Sequence, residues 1–173
     1  MHRQPLRLLA IAVFSFAVPA IAADSVSGQF VLDGKPLKPG EVAAFHTQRY
    51  GLDGYINLVI LSEKPIDKAA TAAAEYAYDK VINDPALHGH DFISLFVKPS
   101  GEIYVNASVG DTQYINTTGK MGGKQGDLVG TCKQNSPTHV ACSVKTAQPV
   151  KTPSGQTYTL DFTFEADISI GKS

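Results

Sequence analysis

The clearest pattern in the chain lies near its end, where Tyr158, Leu160, Phe162, Phe164, Ala166 and Ile168 alternate with Thr157, Thr159, Asp161, Thr163, Glu165 and Asp167. A period of two with one apolar parity predicts a β-strand that puts one face in a core and the other in water. Val26, Gly28, Phe30 and Leu32 alternate in the same way with Ser25, Ser27 and Gln29, and the turn residues Asp33-Gly34-Lys35-Pro36 follow. Glu41–Thr47 reads as the return strand of that unit. Residues 55–61 are apolar at both parities from Leu58 onward, so both faces must be covered, which predicts a central strand.

One segment carries the helical period instead. From Asp67, a good N-cap, to Asn83, with Asp84-Pro85 as the stop, Ile66, Ala70, Ala73, Ala77 and Val81 recur on one side while Lys68, Thr71, Glu75 and Asp79 fall on the other. The spacing predicts one amphipathic helix over residues 67–83, with a flat alanine face that lies against the central strand and covers Val59 and Leu61. Strands are predicted next at residues 92–98 and 102–109 around the turn Pro99-Ser100-Gly101, and at 112–118. The stretch 119–126 contains four glycines, a composition that predicts a mobile surface loop. Residues 128–133 and 138–145 read as a hairpin around Gln134-Asn135-Ser136-Pro137. Short strands separated by turns predict a mainly β fold: an antiparallel β-sandwich or partly closed barrel with one inserted amphipathic α-helix.

The first residues change the picture by setting the compartment. Arg3 and Arg7 precede an apolar run at residues 8–18, then Pro19 and Ala20-Ile21-Ala22, which is the charged, apolar and small-residue order of a secretory signal peptide at 1–22. The run is shorter than the roughly 20 apolar residues a spanning helix needs, so the mature chain is not expected to be membrane-embedded. No cysteine follows the predicted cut, so no lipid anchor is expected. Cleavage after Ala22 leaves 151 of the 173 residues as a single β-rich domain, 23–173, with periplasmic or secreted localisation.

Losing Arg3 and Arg7 leaves 13 basic against 16 acidic side chains, a net charge of −3, with Arg49 the single arginine. That balance excludes the basic stripe of a nucleic-acid binder. Cys132 and Cys142 flank the predicted hairpin turn, and a cysteine pair in an oxidising compartment is expected to form a disulfide.

The early stretch Leu58-Val59-Ile60-Leu61-Ser62-Glu63-Lys64-Pro65-Ile66-Asp67, taken with the late Leu160-Asp161-Phe162-Thr163-Phe164-Glu165-Ala166, resembles exported β-rich proteins of Gram-negative bacteria. The resemblance implies the fold class and attaches no activity.

Candidate chemistry is sparse. His88-Gly89-His90-Asp91 is the densest group of metal-ligand types, and imidazoles two apart beside a carboxylate can share an ion. A His-x-His alone is a weak signal, and a polar loop between helix and strand has the same composition. No serine elbow and no cysteine with a partner histidine is present, and the carboxylates of the last strand share a solvated face that does not separate an acid from a base. Lys120, Met121 and Lys124 sit among glycines, but no Ser or Thr follows Lys120 as a phosphate-binding loop requires. They are read as the tip of a partner-contacting loop.

The expectation is a non-enzymatic binding protein with no cofactor. Its partner is another protein or a cell-envelope component, as for an inhibitor or immunity-type protein. The alternative is a metal-binding protein or metal-dependent enzyme using His88, His90 and Asp91.

Overall fold

The computed structural model describes residues 24–47, 56–84, 90–109, 113–121, 127–152 and 155–170. The elements run β1 (Ser25–Leu32), β2 (Lys35–Leu37), β3 (Glu41–Thr47), β4 (Ile56–Ser62), α1 (Lys68–Ala72), α2 (Ala77–Ile82), β5 (Phe92–Val97) and β6 (Glu102–Val109). They continue through β7 (Gln113–Met121), β8 (Leu128–Asn135), β9 (His139–Thr146) and β10 (Val150–Lys151) to β11 (Thr157–Ser169). All eleven strands belong to one sheet, which curls into a half-barrel. The mainly β, partly closed barrel expected from the sequence is what forms.

The curl is organised by β11. One edge of β11 pairs with β1, from Ser25 opposite Glu165 to Leu32 opposite Tyr158. Its other edge pairs with β9, from Asp161 opposite Lys145 to Asp167 opposite His139. Its last residues, Ile168 and Ser169, meet Ala44 and Phe45 of β3 in parallel. From β3 the sheet continues through β4, β5 and β6 to β7 in antiparallel pairs, and a short parallel contact joins β7 to β8.

The alternation in β11 becomes a division between inside and outside. Phe30, Val59, Leu61, Leu95, Phe162 and Phe164 are buried together on the inner face. Strand β4, apolar except for Asn57 and Ser62, is buried at every position because its two parities serve two cores. Val59 and Leu61 point inward, whereas Leu58 and Ile60 join Ala43, Phe45, Phe92 and Phe96 on the outer face, beneath Ala77 and Val81. The helical segment therefore covers Leu58 and Ile60, not Val59 and Leu61.

The helix expected over 67–83 is two short helices. Asp67 caps α1 as predicted, its carboxylate accepting from the Ala70 N–H at 2.9 Å, but the helix closes at Ala73 and α2 restarts after Tyr76. Two short rods follow the curled outer surface where a single rod would not. Thr71 of α1 and Ala77 and Val81 of α2 are buried, while Ala73 is exposed.

Two further strand assignments change. The return strand for β1 is the three-residue β2, and Glu41–Thr47 pairs with β4 instead. The stretch expected to be a loop from residue 119 begins as strand: Gly119, Lys120 and Met121 belong to β7, with Gly119 opposite Ile103 of β6 and Leu128 of β8. Backbone pairing on both edges overrides the intrinsic cost of glycine in a strand. Lys120 and Met121 are thus strand residues, and Lys124 lies outside the described residues.

Candidate functional site

The helices occupy the outer face of β3, β4 and β5, whereas among the described residues the exposed rows on the outer face of β1, β11, β9 and β8 carry no helix. Register places its side chains in rows, because directly opposed residues of an antiparallel pair share a face. Ser27, Thr163, Ser143 and Thr131 form one row across four strands, and all four are exposed. The Ser143 and Thr163 hydroxyls share a hydrogen bond of 2.9 Å. The next row holds Gln29, Asp161 and Lys145, and the row on the other side holds Ser25 and Glu165. Closely spaced hydroxyl, amide, carboxylate and ammonium groups give this surface both donors and acceptors.

A depression of about 490 Å³ opens beside the hydroxyl row, lined by Ser27, Gly28, Gln29, Lys38, Asp161 and Thr163. Gly28 shapes its floor. Its φ of +112° lies in the region that favours glycine, and a Cβ there would stand 2.0 Å from the carbonyl oxygen of Asp161. Only glycine lets β1 approach β11 so closely.

A charged cluster ends the face. His139 lies between two carboxylates of β11, with Nδ1 2.8 Å from Asp167 Oδ1 and Nε2 3.3 Å from Glu165 Oε1. The Asp167 N–H donates to Asp24 Oδ1 at 2.9 Å, and Asp24 is ion-paired with Lys68 of α1. These contacts tie the start of β1, the end of β11, β9 and α1 together.

Behind the β8–β9 turn, a second polar group faces inward. Asn57 is completely buried; its Nδ2 donates to Asn135 Oδ1 at 2.7 Å and to the Ser136 carbonyl at 3.0 Å. Asn135 Nδ2 donates in turn to the Lys98 carbonyl at 3.0 Å. The hairpin turn is thereby fastened across the barrel end to β4 and to the end of β5. Cys132 and Cys142 are directly opposed on β8 and β9 and joined by a disulfide, as expected. On the other side of that end, Lys98 Nζ donates to Glu102 Oε2 at 2.5 Å and to the Tyr104 hydroxyl at 3.2 Å. The Glu102 hydrogen bond, with help from Tyr104, holds the Lys98 ammonium above its usual pKa.

His88 lies outside the described residues, while His90 and Asp91 precede β5. Among the described residues no group of three or more His, Cys, Asp or Glu side chains is placed to hold a metal ion. Among them, too, no helix is long and apolar enough to cross a membrane.

Sequence reasoning saw Asp161, Thr163, Glu165 and Asp167 as a wet strand face and stopped there. What it missed is the neighbours, Ser27 and Ser143 beside Thr163 and His139 beside Asp167, because the pairing of β11 with both β1 and β9 is long-range. The even alternation of Ser25, Ser27 and Gln29 opposite apolar residues was the available signal. Comparison of the chain with protein-family models, with curated proteins and with solved structures finds no match.

Proposed function

We propose that the protein is a non-enzymatic binding protein working in the periplasm or beyond, and that it engages another protein or a cell-envelope component through the outer face of β1, β11, β9 and β8. The observation that carries this reading is the row Ser27, Thr163, Ser143 and Thr131: exposed hydroxyls held in fixed register by four strands, on a sheet face that no helix among the described residues covers. A rigid β scaffold presents such groups with little ordering cost on binding. The signal-peptide pattern and the cysteine pair support the location.

The test is affinity capture from an envelope extract with the exported wild type, with Thr163→Arg and Ser143→Arg, and with Glu75→Arg on the exposed helical side as control. The reading expects a partner retained by wild type and Glu75→Arg and lost from both face variants. A captured set identical for all four proteins overturns it.

A further inference from the structure

Three separate pieces of the chain line the depression beside the hydroxyl row. Strand β1 supplies Ser27, Gly28 and Gln29, and β11 supplies Asp161 and Thr163. Lys38 arrives because the chain leaving β2 continues alongside β1: Phe30 stands opposite Leu37, so the next step sets Lys38 beside Gln29. Every side chain in this lining is polar, and every lining residue is exposed. Among the described residues, the side chains of Ser27, Gln29, Lys38 and Asp161 hold no hydrogen bond or ion pair, so a ligand takes them up without breaking an internal contact. One carboxylate and one ammonium leave the lining with no net charge.

These donors and acceptors select the ligand. An apolar molecule would strip water from Asp161 and Lys38 and return nothing. A phosphate accepts without donating and would face the Asp161 carboxylate, whereas an ammonium donates without accepting and would face the Lys38 ammonium. A protein partner seats the centre of its interface on an apolar core, and this lining has no apolar side chain. A hydroxyl both donates and accepts, so one kind of group satisfies the whole lining. The volume of about 490 Å³ lies within the range of small-molecule sites, about 300–1,000 Å³.

We infer that the depression takes a neutral saccharide unit, whose hydroxyls donate to Asp161, accept from Lys38 and exchange hydrogen bonds with Ser27, Gln29 and Thr163. From Thr163 the row continues through Ser143 to Thr131, about 10 Å across β11, β9 and β8 at the usual strand spacing, so the following units of a glycan chain meet further hydroxyls. The inference rests on the proposed reading of this face as the binding surface and names the partner class within it, a glycan of the cell envelope.

The test titrates the exported, disulfide-intact chain, labelled with 15N, with neutral mono- to tetrasaccharides of hexose and N-acetylhexosamine. Inorganic phosphate and glycylglycine serve as anionic and zwitterionic probes. A saccharide is expected to shift the amides of Ser27, Gly28, Gln29 and Thr163 saturably and to leave that of Glu75 in place. Asp161→Ala and Lys38→Ala, both at exposed positions, should each raise its dissociation constant about tenfold or more, since each removes a hydrogen bond to a charged group, whereas Glu75→Arg should leave it unchanged. The inference is overturned if no saccharide shifts these amides at about 10 mM, if phosphate or glycylglycine alone does so, or if Asp161→Ala binds as wild type does. Loss of an envelope partner from Thr163→Arg with no saccharide bound to the wild type leaves the face reading standing and overturns this inference alone.

Discussion

Phe164 is the side chain whose removal reports most directly on the curled architecture. Its backbone stands opposite Val26 of β1 and Cys142 of β9, so it lies where both edges of β11 are paired. Its ring is 1% exposed, in the inner cluster with Phe162 and Phe30. Truncation to alanine removes the transfer free energy of the ring and leaves a cavity that paired strands on both sides cannot collapse, so Phe164→Ala should cost about 3–5 kcal/mol. Thr163, one residue away, points outward with its hydroxyl against Ser143, and Thr163→Ala should cost less than about 1 kcal/mol. A chain of this length loses roughly 2–4 °C of Tm per kcal/mol, so the aromatic deletion should lower Tm by about 10 °C while the threonine deletion is barely visible. Urea titration of the wild type and both variants, read at constant m-value, gives the two free energies. Equal losses from Phe164→Ala and Thr163→Ala would refute the inside–outside division of β11 and the curled sheet derived from it.

Further outcomes follow from particular contacts. Replacing Cys132 and Cys142 by serine should lower stability by about 2–3 kcal/mol in the chain-entropy estimate, since the closed loop spans a sequence separation of only 10, and a thiol assay of the exported wild type should find no free thiol. Gly28→Ala should destabilise more than Gly155→Ala. Both residues have positive φ, but the new Cβ at Gly28 meets the Asp161 carbonyl whereas the one at Gly155 meets open space, so equal urea midpoints for the two variants would contradict the close β1–β11 approach. Asn57→Leu leaves the Asn135 amide and the Ser136 carbonyl without their buried partner, and should loosen the β8–β9 turn, seen as faster amide exchange at Ser136 and His139. The raised pKa of Lys98 fixes the sign of an alkaline effect. Its pairing with Glu102 contributes fully below the unfolded-state pKa of about 10.4 and is lost as pH climbs through the higher folded value, so thermal stability above about pH 10 should fall more steeply in wild type than in Glu102→Gln.

The strands were legible in the sequence wherever one face is dry and the other wet. β11, β1 and β6 could be read from alternation alone, β5 from its apolar run before the turn Pro99-Ser100-Gly101, and the disulfide from its flanking of a turn. The legibility stopped where partners are chosen at long range. Nothing local to Glu41–Thr47 says that it leaves β1 for β4, and nothing in the glycines after Thr118 says that β6 and β8 will grip Gly119 from both sides. The alanine period correctly marked a helical segment but could not show the break at Ala73, which answers to the curvature of the surface beneath. The candidate binding face was hidden for the same reason. Its residue types were visible one strand at a time, and the row Ser27, Thr163, Ser143 and Thr131 exists only through the registers of β1, β11, β9 and β8.

The central claim, that this outer face meets the partner, is tested most directly by photo-cross-linking in cells that export the protein. A photoreactive residue is placed in turn at Thr163, at Ser143, and at Glu75 and Lys80 on the helical side. The account predicts an adduct to a molecule other than a second copy of this chain from positions 163 and 143, with none from 75 and 80. Adducts that appear only from the helical positions, or equally from all four, would contradict it.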